Sequence, residues 1–373
     1  MSYADYLFAK NCTEILTNGF ADDCFQVRTK WPDGESAHTV KTLYVTDRYD
    51  LSDGNIPIMT LRKQGIKNSI QEVLWIYQQK SNNVKDLGLH IWDAWADEKN
   101  TIGKAYGYQI GQPFIHHKLS ETWNDLGTND EERQRTYDNL FDKTREDNDS
   151  EGLMSPVLCK DGNDLIVTMD QMDAVLYDLM HNPGSRRIMT NTYVHRDLHE
   201  MGLQPCAYQM IFNVTMNRDK ELILNGCLNQ RSQDMLTANG WNVMQYAALL
   251  MMVARHVGMK PGIFVHNIFD CHIYDRHIPL VKELLANYAC NVFDGDPDFD
   301  PNEVREDIMN GNKWAFKNTM EQALSLAGHD IPYENPTTIL NPDKRNFYEF
   351  RADDFSLEFY RYLPFDHKIE VAE

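Results

Sequence analysis

Positive charge is what this sequence has least of. Against 56 aspartates and glutamates stand 36 lysines and arginines, giving a formal net charge of −20 over 373 residues. A field of that sign opposes non-specific attachment to nucleic acid or to an anionic membrane. Cysteine is scarce too: there are seven, an odd number, with no C-x-x-C pair and no zinc-type spacing. That pattern excludes a disulfide framework and reads as reduced thiols in a cytosolic chain. There is no glycine-rich phosphate loop of the Walker or dinucleotide-binding kind, and no H-x-E with P-C-x-x-C for a zinc deaminase. The longest apolar run, 246–254, is too short to span a bilayer, and no charged-then-apolar leader opens the chain. The expectation is a soluble cytoplasmic protein with no metal, no nucleic-acid partner and no membrane partner.

What is present suffices for a packed core: 42% apolar residues, 11% aromatic. Helical spacing runs over 3–18, stopped by Gly19, and an amphipathic helix is expected over 61–79. Helices are also expected over 172–180 and 312–327. A buried central helix is expected over 241–257, which is apolar on nearly all sides. Strands are expected over 40–51, 206–215, 221–228 and 262–269. Pro32-Asp33-Gly34 is turn chemistry, and the bland reading of its basic flank is a hairpin tip. Strands and helices out of strict alternation indicate an α+β fold. Two acidic stretches, roughly 116–165 and 291–341, read as insertions into one domain. The first is expected to be a surface segment, helical around 131–143 and resisting burial at Asn148-Asp149-Ser150-Glu151-Gly152. The aspartates at 294–298 lack the calcium-loop spacing and read as solvated acid.

The chemistry concentrates between 203 and 277. Cys206 follows a proline in Leu203-Gln204-Pro205-Cys206, and Arg231 is expected on a neighbouring strand. A lone cysteine is more often a small buried hydrophobe than a nucleophile. A nearby desolvated guanidinium shifts those odds, because positive charge lowers a thiol's pKa. The His-Asn partners of a thiol protease have no recognisable placement. Arg28, Arg186, Arg187 and Arg231 flank turns and strand ends, the natural positions for a bidentate anion clamp, and Ser232 adds a hydroxyl donor. The pair Trp92 and Trp95, with Gly103 and Gly107 downstream, reads equally as core or as pocket wall.

Six strings, in order, resemble the thymidylate synthase family. They are Glu72-Val73-Leu74-Trp75, Ile91-Trp92-Asp93-Ala94-Trp95, Ser185-Arg186-Arg187, Leu203-Gln204-Pro205-Cys206, Gln230-Arg231-Ser232-Gln233-Asp234 and Asp270-Cys271-His272-Ile273-Tyr274. Each alone is weak; the ordered set is specific and covers most of the chain outside the insertions. The resemblance implies the family's mixed sheet packed against helices. It implies dUMP as substrate, 5,10-methylenetetrahydrofolate as one-carbon donor, and a homodimer sharing arginines across its interface. It further implies that Cys206 adds to C6 of the pyrimidine. Arg28, Arg231 and Ser232 hold the 5′-phosphate, with Arg186 and Arg187 reaching it from the second subunit. His272 and Tyr274 bind the deoxyribose, and Asn242 reads the base, accepting from N3–H and donating to O4. Glu72 and Tyr106 move protons, and Trp92, Asp234, Leu203 and Ala238 line the folate site.

Three departures bear on the product. Ala207 follows Cys206 where many members have histidine, at a tolerant site. Phe269 precedes Asp270 where a small residue is usual, and the chain ends in Glu373 where an apolar residue is usual. The tail excludes water in this family, so a carboxylate there keeps a second outcome open. Hydride gives a methyl group, whereas water gives hydroxymethyl-dUMP, a chemistry of viruses, whose enzyme would sit in the host cytoplasm. A third reading is an inactive nucleotide-binding relative, which the intact Cys206, Arg231, Asn242 and Tyr274 disfavour.

Overall fold

The computed structural model describes residues 1–148, 157–329 and 333–373. The chain opens with α1 (Tyr3–Asn18), whose N-terminus is closed by a capping box between Ser2 and Asp5. The strands β1 (Phe20–Ala21) and β2 (Thr39–Asp50) follow. Helix α2 is Ile66–Tyr77, shorter than the periodicity suggests. Ahead of it the Asp5 carboxylate accepts from the Thr60 and Leu61 amides at 2.8 and 3.2 Å, and the Gln64 amide donates to the Tyr360 hydroxyl. Two short turns, α3 (Val84–Leu87) and α4 (Gly107–Ile110), lead to the first insertion.

That insertion differs from expectation. It holds a three-stranded antiparallel sheet of β3 (Phe114–Thr122), β4 (Val157–Asp161) and β5 (Asp164–Met169), ordered β3-β5-β4, with α5 (Asp130–Asn148) beside it. Leu126, Leu158, Leu165, Val167 and Met169 form a separate small core under it. Dense acid on the solvent side conceals an alternating apolar pattern that builds a sheet face. The loop expected over 148–152 lies, from residue 149 on, outside the described residues.

The chain then adds α6 (Gln171–His181), capped by Asp170, and β6 (Met189–Asn191). Next come β7 (Ala207–Met216), β8 (Leu222–Gln230), β9 (Gln233–Asp234), α7 (Asn239–His256) and β10 (Lys260–Tyr274). Helix α8 (Ile278–Phe293) leads into the second insertion, which carries α9 (Pro301–Met309) and the expected α10 (Lys313–His329); α8 and α9 are not among the expected helices. A final pair, β11 (Thr337–Leu340) and β12 (Phe355–Glu358), is antiparallel.

The central seven-stranded sheet has the order β1-β2-β10-β8-β7-β6, with β9 paired to β10. The β10–β8 pair is parallel, and β2–β10 and β7–β8 are antiparallel. On β10, Phe264, His266 and Ile268 face the core, while Phe269, at the next position, is 54% exposed. Helix α7 is buried along almost its whole length and packs against α2 and β10. The mixture is α+β, as read from the sequence.

Candidate active site

Cys206 stands immediately before β7. The register Ala207↔Gln230 brings it beside the end of β8, so Arg231 follows on the neighbouring strand as expected. The Arg231 amide donates to the Cys206 carbonyl at 3.0 Å. Its guanidinium donates to the Pro205 and Gln204 carbonyls at 2.9 and 2.8 Å. Arginine therefore fastens the cysteine loop as well as charging it. Burial pushes the Cys206 thiol pKa up, and the positive charges of Arg231 and Arg28 pull against it without winning.

Tyr106 reaches the same loop from below. Its hydroxyl accepts the Cys206 amide at 3.0 Å, and its ring packs 5.3 Å from that of Trp92. The turn that delivers it is tight, with Tyr106 at φ +43. A Cβ on the next residue, Gly107, would stand 2.0 Å from the Ser81 carbonyl oxygen, so only glycine fits there.

Glu72, buried on α2, accepts three side-chain donors. Trp92 Nε1 donates to one oxygen at 2.7 Å; Trp241 Nε1 and Gln245 Nε2, the latter at 2.7 Å, share the other. Burial raises its pKa, and the three donors restrain the rise. Gln245 Oε1 accepts from Asn242 Nδ2 at 2.9 Å; Asn242 Oδ1 accepts from Gln230 Nε2 at 3.2 Å. Gln230 continues to the Ser232 carbonyl at 3.0 Å and to His266 Nε2 at 2.9 Å. One hydrogen-bonded chain thus links Glu72 to Asn242 and to the β8–Arg231 turn. Sequence reasoning missed Trp241, Gln245, Gln230 and His266 as site residues. The signal available was a pair of amides, Asn242 and Gln245, one turn apart on an otherwise apolar helix.

His272 is buried, with its Nδ1 3.0 Å from the Asp270 carboxylate, which Lys41 also holds at 2.7 Å. Burial alone would lower the His272 pKa, but Asp270 and Asp234 reverse that and raise it. Tyr274 lies edge-on to it at 5.1 Å, and burial pushes its phenol up to about 12. Asp234 accepts from the Leu236 amide at 2.9 Å and from the Thr237 hydroxyl. His277 Nδ1 stands 3.8 Å from it, an ion-pair distance rather than a hydrogen bond, while His277 Nε2 meets the Glu370 carbonyl at 2.8 Å. The C-terminal Glu373 pairs its main chain with that of Lys30, two residues beyond Arg28.

Helix α7 has Ala238 before its first residue and so no side-chain cap, and the buried Asn239 Nδ2 has no hydrogen-bond partner among the described residues. Leu203 is half-buried against the main core. Trp92, 8% exposed, packs between Trp75, Trp95 and Tyr106. Arg186 and Arg187 are exposed and lie elsewhere. The register Met189↔Ile211 puts their turn at the far end of β7 from Cys206, about 23 Å away at the rise of a strand. Phe269 faces outward beside Tyr44, at 5.3 Å, and with Tyr193, Tyr208 and Arg231 lines a cleft of about 370 Å³. Among the described residues no group of three or more His, Cys, Asp or Glu is arranged to hold a metal, and no helix is long and apolar enough to cross a membrane.

The thiol on the Arg231-held loop, the buried carboxylate wired to an amide and the histidine–tyrosine pair are the candidate site. Comparison with known proteins gives the class its family. The profile described as "Thymidylate synthase" matches residues 6–292. Thymidylate synthase of Bacillus licheniformis is 33% identical over 97% of this chain and 96% of its own length. That of Bacillus phage phi3T is 31% identical over the same shares. The solved thermostable thymidylate synthase A from Bacillus subtilis superposes with a TM-score of 0.68 at 29% identity, covering 99% of both chains. The chain belongs to the thymidylate synthase family and is a one-carbon transferase acting on dUMP.

Proposed function

We propose that the protein methylates dUMP to dTMP, with 5,10-methylenetetrahydrofolate as co-substrate and dihydrofolate as the second product. The observation that carries this reading is the continuous polar chain from Glu72 through Gln245 and Asn242 to the Arg231 turn that holds Cys206. Cys206 adds as thiolate to C6 of the uracil ring. Arg28, Arg231 and Ser232 grip the 5′-phosphate, and His272 with Tyr274 binds the deoxyribose hydroxyl. Asn242 reads N3–H and O4, Glu72 moves protons about O4, and Tyr106 assists loss of the C5 proton. The bound folate supplies the one-carbon unit and the hydride. The uncapped α7 start, the unpartnered Asn239 amide, Asp234 and the aromatic wall at Trp92 suit a flat polar ring, with Leu203 and Ala238 beside it. The whole chain works as a single domain with two insertions, in the cytoplasm.

The active unit is a homodimer. Each chain holds its own Arg186 and Arg187 far from its own Cys206, and burial outweighs the local arginines at the sulfur. A second copy supplying that pair adds the charge the thiolate needs. Cys206→Ala is expected to abolish tritium release from C5-labelled dUMP, a loss of about 10⁴-fold or more, with dUMP binding retained. Residual turnover near the wild-type rate would overturn the nucleophile assignment.

A further inference from the structure

Lys41 lies on β2 directly across from His272 on β10. Its ammonium reaches diagonally from that position to the Asp270 carboxylate, at 2.7 Å. Asp270 occupies an unusual point of the strand. The ladder pairs Phe269 with Tyr44 and Cys271 with Thr42 but passes over Asp270, whose φ is +46. A residue other than glycine keeps such a backbone only where its surroundings fix it. Here the side chain is held at both oxygens: Lys41 Nζ donates to Oδ2, and His272 Nδ1 stands 3.0 Å from Oδ1. The Asp270 carbonyl meets the same Nδ1 at 3.0 Å, so His272 carries a proton on that nitrogen.

The carboxylate that sets His272 also acts on the nucleophile. Arg231 and Arg28 favour ionisation of the Cys206 thiol, and Asp270 opposes it. The other titratable groups felt at the sulfur are the phenols of Tyr106 and Tyr274, both kept neutral by burial. Around His272 the second carboxylate is Asp234. Lys41 is the lysine that pairs with Asp270. Asp22, the further acid near Lys41, is already served by the Thr39 amide and hydroxyl at 2.8 and 2.7 Å and by His38 at 3.2 Å. We propose that Lys41 is a positioning residue for the reaction at Cys206: it holds the Asp270 carboxylate on His272 and cancels that charge for the thiolate and for the nucleotide phosphate. This rests on the reading of Cys206 as nucleophile and His272 as the deoxyribose partner. In a chain of net charge −20, an acid beside an anionic substrate needs compensation close at hand. Lys41 lets the site keep the anchor of His272 without its electrostatic cost.

The test measures alkylation of Cys206 by iodoacetamide in the nucleotide-free protein, together with kcat/KM for tritium release from C5-labelled dUMP. Peptide mass spectrometry reads the alkylation, because the other cysteines are free thiols too. Lys41→Gln keeps a hydrogen-bond donor for Asp270 and removes the charge. It is expected to slow alkylation at neutral pH about threefold or more and to lower kcat/KM about tenfold. Lys41→Arg should restore both. Adding Asp270→Asn to Lys41→Gln should return alkylation to the wild-type rate or above, while kcat/KM stays low because His272 has lost its anchor. If Lys41→Gln fails to fold, Lys41→Met, which keeps the length of the side chain, carries the measurement. Equal alkylation rates in the wild type and Lys41→Gln, or a slow rate that Asp270→Asn does not relieve, would overturn the proposal. Alkylation needs no substrate, so a wild type and variants that alkylate as expected but release no tritium would overturn the dUMP reading instead.

Discussion

The helix-covered face of the central sheet carries Gln230 and His266, whose polar atoms run into Asn242, Gln245 and Glu72 on two helices. The opposite face carries Gln209, Asn229 and Asn267, whose amides bond sideways along the sheet at 2.8 and 3.1 Å. Beside them Phe269 and Tyr44 are 54% and 52% exposed. The covered face directs its polar groups across elements toward one site. The open face satisfies its polar groups within the sheet and leaves its apolar groups uncovered. Phe269 and Tyr44, 5.3 Å apart, form an apolar patch on that face. In the homodimer proposed above, the arginines that would reach the thiol from the second copy lie at the end of the same sheet. The two faces thus differ in how far the chain itself completes them.

The sharpest way to break that comparison is to remove the arginines. A double variant, Arg186→Ala with Arg187→Ala, is expected to lose about 100-fold or more in kcat/KM for dUMP, since two charge-assisted phosphate contacts vanish. Mixing it with Cys206→Ala under conditions of subunit exchange should restore activity, because one hybrid site then holds both the thiol and the arginines. Absence of rescue would mean that no site is shared.

A smaller effect probes the covered face. Asp47, buried on β2, accepts from Asn11 Nδ2 at 2.9 Å, and its other oxygen has no hydrogen-bond partner among the described residues. Burial raises its pKa to about 7. The unfolded value lies near 3.9, so the folded state binds the extra proton across that interval, and stability falls as pH rises from about 4 through 7. Asp47→Asn should raise the melting temperature by roughly 3 °C or more at pH 8 and far less at pH 5. Equal shifts at the two pH values would contradict a buried ionisation.

Much of this was legible in the sequence. Periodicity located α1, β2, α6, β7 and α7 to within a few residues. The ordered motifs single out Cys206, Arg231, His272 and Tyr274 as candidates, because short strings on one strand or turn report local geometry well. What stayed hidden depends on contacts between distant elements. Gln230, Gln245 and Glu72 belong to β8, α7 and α2, and no spacing in the chain announces that their amides and carboxylate meet. The small insertion sheet was obscured differently: averaging the acid over 116–165 hid the apolar alternation at 157–169 that builds its core. Phe269 was noticed as unusual, but only the strand register shows that it faces outward beside Tyr44 and away from the polar chain.

The fate of the one-carbon unit tests the account most directly. Purified protein, dUMP and 5,10-methylenetetrahydrofolate are incubated together, and the nucleotide formed is weighed by mass spectrometry. The account requires dTMP, with dihydrofolate released in equal amount. Recovery of 5-hydroxymethyl-dUMP with tetrahydrofolate, or of dUMP alone, would contradict it.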